Sequence, residues 1–187
     1  NENKDRCIQL LSKTNQFNTT TLRLTENDIL TNNYKVYVLG AKDKYNDYEN
    51  MGVMVTKELD DTLEIIDYLL SCRFLGKNLE NEFIKWILNY SENKKFKKII
   101  GKIIETNRNK PVRNIFKNNN FIINENNIWE FNINEKVKYT DYIKITENLT
   151  SIITKNEINK KKFGKKDNLL NNNEYFNISI KLKNILK

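Results

Sequence analysis

A thiol, two cations, a glycine and a carboxylate fall within the segment Ser-Cys-Arg-Phe-Leu-Gly-Lys-Asn-Leu-Glu, residues 71 to 80. An apolar run from Leu63 to Leu70 precedes it and an amphipathic stretch follows. That order predicts strand, tight loop, helix. Gly76 allows close backbone approach. The unpaired N–H groups of the following helix, with Arg73 and Lys77, would face an anion such as a phosphate. Asn78 has the residue type of an N-cap. Beyond it Leu79, Phe83, Ile87 and Tyr90 fall on one helical face, with Trp86 beside them. Glu80 has two readings. A carboxylate in a first helical turn is favoured by the helix dipole alone, and the same group is the local candidate for a general base.

The chain of 187 residues has no histidine, which removes the commonest general base and the commonest metal ligand. Its two cysteines, Cys7 and Cys72, make neither a disulfide framework nor a metal cluster, so no metal is expected. Catalysis would have to use Cys, Asp, Glu, Tyr, Lys or a partner. Nine Phe, nine Tyr and two Trp within a 39% hydrophobic composition can fill a core. No segment approaches the roughly 20 apolar residues of a membrane span and no signal peptide opens the chain, so the expected location is cytoplasmic. The 33 asparagines read as coding bias in an AT-rich genome.

The net charge of +8 invites a nucleic-acid reading, but its placement argues against one. From Glu147 to Lys187 there are nine lysines against four acidic residues, so the tail holds most of the excess. Lys160 to Lys162 and Lys165 to Lys166 read as a solvated basic run, and no nucleic-acid partner is expected. Residues 1–146 are read as one domain and 147–187 as a basic Asn/Lys-rich tail or linker.

Around the loop the expected elements are a helix over 5–13, with Cys7, Leu10 and Leu11 on its packing face, and a polar loop from Thr14 to Thr25. Thr25 and Asp28 have capping-box spacing for a short helix. Strands are expected over 35–41 and 52–57, with Asp43, Asp47 and Asn50 in the hairpin, and over Leu63 to Cys72 as a central strand. Asp43, Asp47 and Asp67 read as turn and surface residues. Lys98 to Glu105 reads as a strand. Asn109-Lys110-Pro111 opens a helix carrying Val112, Ile115 and Phe116 inward, and Ile128 to Ile133 returns as a strand. The last amphipathic fragment runs from Ile178 to Leu186.

The order strand, Arg-x-x-Gly loop, helix, strand, Asn-bearing helix, strand resembles the GNAT (acyl-CoA N-acyltransferase) fold, an α/β mixed sheet flanked by helices. A closer resemblance is to the C-terminal domain of FkbH-like proteins. Lys13-Thr14-Asn15-Gln16-Phe17-Asn18 with Thr20-Thr21 is similar to that family's opening signature. Ser71-Cys72-Arg73 with Leu75-Gly76-Lys77 and Glu80 is similar to its second, and Thr106, Asn109 and Val112 agree with its third block. The resemblance covers roughly residues 5 to 131. Two positions depart from it: Asn78 stands where the GNAT loop has a small residue, and Asn46 where the family commonly has Gly.

The resemblance implies an acyltransferase domain that binds coenzyme A or a carrier-bound phosphopantetheine. It further implies a glyceryl-type acyl group derived from 1,3-bisphosphoglycerate. An acyl carrier protein and a phosphatase-like (haloacid dehalogenase, HAD-like) domain are the implied partners; no motif of the latter stands in this chain. Arg73, Gly76, Lys77 and Asn78 would hold phosphate, with Asn109 a further cofactor contact. Asn15, Gln16 and Asn18 either cap a loop or bond the amides of a pantetheine arm. Cys72 is either a small buried hydrophobe or an acyl-accepting nucleophile, since cations and a helix N-terminus favour thiolate. The expected sheet has five to seven strands, with the strand ending at Cys72 splayed from its neighbour to admit the arm. A non-catalytic carrier-docking module and an ordinary small-molecule N-acetyltransferase using acetyl-CoA are the alternatives. The latter needs a base near the amine.

Overall fold

The computed structural model describes residues 2–42, 45–134, 136–141, 143–149 and 176–182. The helix α1 (Glu2–Lys13) buries Cys7, Leu10 and Leu11, which recur at helical spacing. A capping box opens α2 (Glu26–Thr31): Thr25 Oγ1 accepts from the Asp28 N–H, and Asp28 Oδ2 accepts from the Thr25 N–H at 2.8 Å. Three strands follow as an antiparallel meander, β1 (Lys35–Lys42), β2 (Asp47–Leu59) and β3 (Thr62–Leu70). A 3-10 turn (Cys72–Phe74) leads to α3 (Leu79–Asn93), which crosses over to β4 (Lys98–Gly101), parallel to β3. A second 3-10 turn (Lys110–Val112) and α4 (Ile115–Asn118) lead to β5 (Ile122–Ile123) and β6 (Trp129–Asn132). The last strands are β7 (Ile143–Leu149) and β8 (Phe176–Leu182).

The sheet is mixed and ordered β5-β6-β4-β3-β2-β1-β8-β7. Its two faces bury different sets. Val36, Val38, Val53 and Leu69 meet α1 and α2. Tyr37, Leu39, Met54, Tyr68 and Leu70 pack in the cluster that holds Phe83 and Trp86 of α3 and Phe116 of α4. Because both faces are covered, the central strands are apolar almost throughout, as β3 was expected to be. A chain of ring contacts runs from Phe17 to Tyr68 (5.2 Å), on to Phe83 (5.5 Å), then to Trp86 (5.8 Å) and Tyr90 (5.4 Å).

Two irregularities of β3 shape what lies beyond it. Val55 pairs with Asp67 and Thr56 with Ile65, so Ile66 is an extra, bulged residue. The bulge shifts the side-chain phase: Leu63 and Ile65, then Tyr68 and Leu70, point to the α3 face. Second, β4 pairs with β3 only as far as Ile65↔Gly101. Past that point the two strands part, as a splay beside β3 required.

The observed strands differ from expectation in several places. β3 stops at Leu70: Ser71 N–H makes one more ladder bond, to the Met51 carbonyl, and the chain then turns at Cys72. β4 ends at Gly101 rather than Glu105, since Ile104 N–H bonds to the Thr19 carbonyl instead of to a strand. Residues 5–146, for which five to seven strands were expected, hold β1 to β6 and the first part of β7, and among the described residues β8 brings the sheet to eight. The boundary expected after residue 146 falls inside β7. Residues 178–182, read as part of an amphipathic fragment, lie in β8, which pairs antiparallel with β1 (Ala41↔Ile178, Tyr37↔Leu182). Phe176, Ile178, Ile180 and Leu182 alternate with polar residues, a period of two rather than 3.6. Asp43, the lysine run at 160–166 and residues 183–187 lie outside the described residues. Among the described residues no helix is long and apolar enough to cross a membrane.

Gly101 ends β4 with the Phe116 ring directly over it; an added Cβ would lie 2.6 Å from Phe116 Cζ. Phe116 is itself buried and wedged against Phe121 and Trp129, so the ring has little room to retreat. Gly101→Ala is expected to destabilise by about 1–3 kcal/mol through overpacking, read as a lower urea midpoint. A neutral or stabilising result would mean that α4 shifts freely over the sheet.

Candidate active site

The gap between β3 and the departing β4 is filled by the polar loop that follows α1. Leu70 N–H donates to the Phe17 carbonyl at 3.1 Å, and Thr19 N–H donates to the Tyr68 carbonyl at 3.0 Å. Asn18 thus bridges antiparallel to Leu69. On its other side the Thr19 carbonyl takes the Ile104 N–H at 2.8 Å. The short segment works as a substitute strand inserted where β4 has left, and Phe17 anchors it in the core. The splay expected to admit a thioester arm is therefore occupied, along Tyr68 to Leu70, by the chain itself.

Side chains lock the insert. Asn18 Oδ1 accepts from the Thr20 and Thr21 N–H groups, and its Nδ2 donates to the Thr14 carbonyl. These bonds hold Thr21 at φ +57°, an unfavourable conformation for a β-branched residue. Asn109 donates from Nδ2 to the Asn18 carbonyl (3.1 Å) and the Ile104 carbonyl (2.9 Å), and its Oδ1 accepts from Thr106 N–H. Both asparagines are fully buried. Of the two readings of Asn18, this is the loop-capping one, and Asn109, expected as a cofactor contact, has its polar atoms engaged in joining the loop to the core.

Asp67, expected at the surface, is fully buried beneath the insert. Its Oδ1 accepts from Thr19 Oγ1 (3.1 Å) and Thr20 N–H (3.2 Å), while Oδ2 has no hydrogen-bond partner. Burial pushes this carboxyl up from the ordinary 3.8, against the opposing pull of the bonds from Thr20 and Thr19. The phase shift at the Ile66 bulge explains how a charged residue of an apolar strand comes to face the loop.

The Arg73–Asn78 loop is exposed at Arg73, Gly76 and Lys77. Lys77 Nζ lies 5.9 Å from the Tyr48 ring, which packs edge-on against Phe74. Gly76 takes φ +79°, the left-handed region that suits glycine. Its N–H, however, donates to Glu80 Oε1 at 3.3 Å, while Glu80 Oε2 is buried without a partner. Asn78 occupies the N-cap of α3 in the left-handed conformation but makes no side-chain cap bond. It bonds instead to Thr140 Oγ1, Glu82 and Asn81. Buried Glu82 collects Thr140, Lys85 and Asn78, tying α3 to the segment before β7. The α3 entrance is thus already furnished with carboxylates.

A cleft of about 310 Å³ opens at the C-terminal end of β3, within the roughly 300–1,000 Å³ range of small-molecule pockets. It brings Asn15, Gln16 and Cys72 together, with Leu70, Ser71 and Phe17 beside them. Cys72 is exposed, which corrects the reading of it as a buried hydrophobe; Cys7 is buried in α1 as expected. Asn15 Oδ1 accepts from the Arg23 guanidinium, which also bonds the Thr14 carbonyl at 2.7 Å. Glu80, Arg73, Lys77 and Asn78 do not line this cleft. Of two basic residues that do, Arg6 was not singled out from the sequence, and Lys13 was named only as the first residue of the opening segment. The signal was present: Arg6, Gln9 and Lys13 recur along one polar face of α1 opposite its apolar stripe. Among the described residues no group of three His, Cys, Asp or Glu could hold a metal ion.

No family model and no curated protein matches the chain. Among solved structures, a domain from Methanocaldococcus jannaschii overlaps 59% of this chain and 77% of its own, at 18% identity and a TM-score of 0.47. An N-acetyltransferase from Staphylococcus aureus overlaps 62% of this chain and 81% of its own, at 10% identity and a TM-score of 0.43. Both scores lie below 0.5, a partial overlap of folds.

Two measurements test these roles. Asn109→Ala strands the Asn18 carbonyl and the Thr106 N–H, so a loss of about 1–3 kcal/mol is expected in chemical denaturation; a cofactor contact would instead lose affinity at unchanged stability. For Asp67, a folded-state pKa above 3.8 means that folding favours the protonated acid. That contribution is complete below about pH 4 and is lost as the pH rises through the folded-state value. Measured against Asp67→Asn, the wild type should lose stability as the pH climbs from about 4, whereas a pH-independent difference would place Asp67 in contact with water.

Proposed function

We propose that this domain is an FkbH-like acyltransferase that accepts a glyceryl-type acyl group from a phosphopantetheine thioester through Cys72. One observation carries the reading: the signature blocks, far apart in sequence, converge on the C-terminal end of β3. Asn15 and Gln16 of the first share a cleft with Cys72 of the second, and Asn109 of the third bonds the Asn18 carbonyl behind them. Asn15 and Gln16 supply amide groups suited to the amides of a pantetheine arm. In the reaction the Cys72 thiolate attacks the thioester carbonyl carbon. The carbon–sulfur bond to pantetheine breaks, and the released thiolate takes a proton from water. The acyl-cysteine is then discharged onto the thiol of an acyl carrier protein by the same exchange in reverse. A HAD-like phosphatase domain is the partner expected to prepare the acyl donor, and coenzyme A is the small-molecule counterpart of the carrier.

A second reading has one observation in its favour. The insert of Phe17 to Thr19 fills the gap beside β3, which suits a module that docks a carrier protein without reacting with it.

Intact-protein mass spectrometry after incubation with an acyl-pantetheine thioester separates the two. One acyl mass is expected on the wild type and on Cys7→Ala, and none on Cys72→Ala. A wild type that binds carrier protein without acquiring the mass would overturn acyl transfer in favour of docking.

A further inference from the structure

We infer that the phosphate of the pantetheine arm is held by Arg6 and Lys13 of α1 rather than by the Arg73–Lys77 loop. The inference rests on the reading of Cys72 as the acyl acceptor and assigns the other end of the same ligand. The cleft that contains Cys72 is lined by two cations and no acid. Arg6 bonds a neutral partner, Gln9 Oε1, and no carboxylate stands among the residues that line the cleft. Half-buried Arg6 presents a guanidinium, whose planar fork matches phosphate geometry. Seven residues separate it from Lys13, about two helical turns or roughly 10 Å, so the two cations span one side of the cleft.

The alternative anchor is compromised by its own neighbours. At the entrance to α3 the Gly76 N–H is engaged by Glu80, and the first turn carries both Glu80 and Glu82. A phosphate placed there would displace the Glu80 carboxylate from the amide and then face its charge. Arg73 and Lys77 do not line the Cys72 cleft. In the α1 cleft the phosphate meets cations and no carboxylate, and the Arg23 bond to Asn15 Oδ1 leaves the Asn15 Nδ2 as a donor for a carbonyl of the arm.

The test compares the rate of Cys72 acylation by S-acetyl-4′-phosphopantetheine with that by S-acetyl-pantetheine, which lacks the phosphate, using intact mass as the readout. The wild type should favour the phosphorylated donor by about ten-fold or more, the scale of one charge-assisted hydrogen bond. Arg6→Gln with Lys13→Gln should bring the ratio close to one while leaving the rate with S-acetyl-pantetheine unchanged, which also shows the variant to be folded. Arg73→Gln should keep the wild-type preference. Equal rates with both donors in the wild type, or a preference abolished by Arg73→Gln and kept by the double variant, would overturn the α1 anchor while Cys72 acylation stands. A double variant slowed equally with both donors would overturn it too, because these residues would then serve the fold and not the phosphate. Absence of Cys72 acylation with either donor would overturn both the anchor and the reading beneath it.

Discussion

Everything around the Cys72 cleft depends on how one strand is completed. β3 loses its parallel neighbour at Gly101, yet its last residues still carry buried N–H and C=O groups that need partners. Phe17 and Thr19 supply them. That substitution brings Asn15 and Gln16 to the end of the strand, carries Cys72 out to solvent on the following turn, and requires the hydrogen bonds of Asn18, Asn109 and Asp67 to hold the insert. Without it, residues 15–16 and Cys72 would have no reason to meet.

Asparagine is the residue the fold uses for this purpose repeatedly. The Asn89 amide pairs with both backbone groups of Val137, at 2.9 and 2.8 Å, as a neighbouring strand would. Asn119 links the end of α4 to Asn81 of α3, and Asn124 closes the turn before β6. An amide carries one acceptor and two donors, which lets it stand in for a missing peptide group. Composition alone suggested that asparagine reflects coding bias. At Asn18, Asn89 and Asn109 the amide replaces a backbone partner that the topology withholds.

The regular elements were legible where a single period governed them. α1, the capping box of α2 and the apolar face of α3 follow from spacing, and β3 was readable as a central strand because both its faces are apolar. The end of β4 was not readable, because the residues after it bond to a loop some 85 positions upstream rather than to a strand. Asp67 misled for a related reason: a bulge at Ile66 inverts the alternation, so a residue that strict period two would place with its neighbours instead meets the insert. β8 was legible in principle, since its alternation is clean, but a lysine- and asparagine-rich setting hid it. Cys72, Asn15 and Gln16, singled out from separate segments, line one cleft. Asn18 and Asn109 are buried and bonded within the loop they join. Arg6 went unremarked because a polar helix face does not by itself show that it will wall a cleft.

The bond from Asn109 to the Asn18 carbonyl joins residues 91 positions apart, and its consequence concerns the order of folding. The meander of β1 to β3 needs only near neighbours and can form early, since local contacts close at the lowest entropic expense. The insert beside β3 is different: the bonds that brace it from behind wait until the segment through residue 109 has left the ribosome and can reach back to residue 18. A nascent chain shorter than that holds the insert on β3 alone, and the wall beside Cys72 lacks its support. The Cys72 end of the domain is therefore braced by residues made about ninety positions after the loop that they hold.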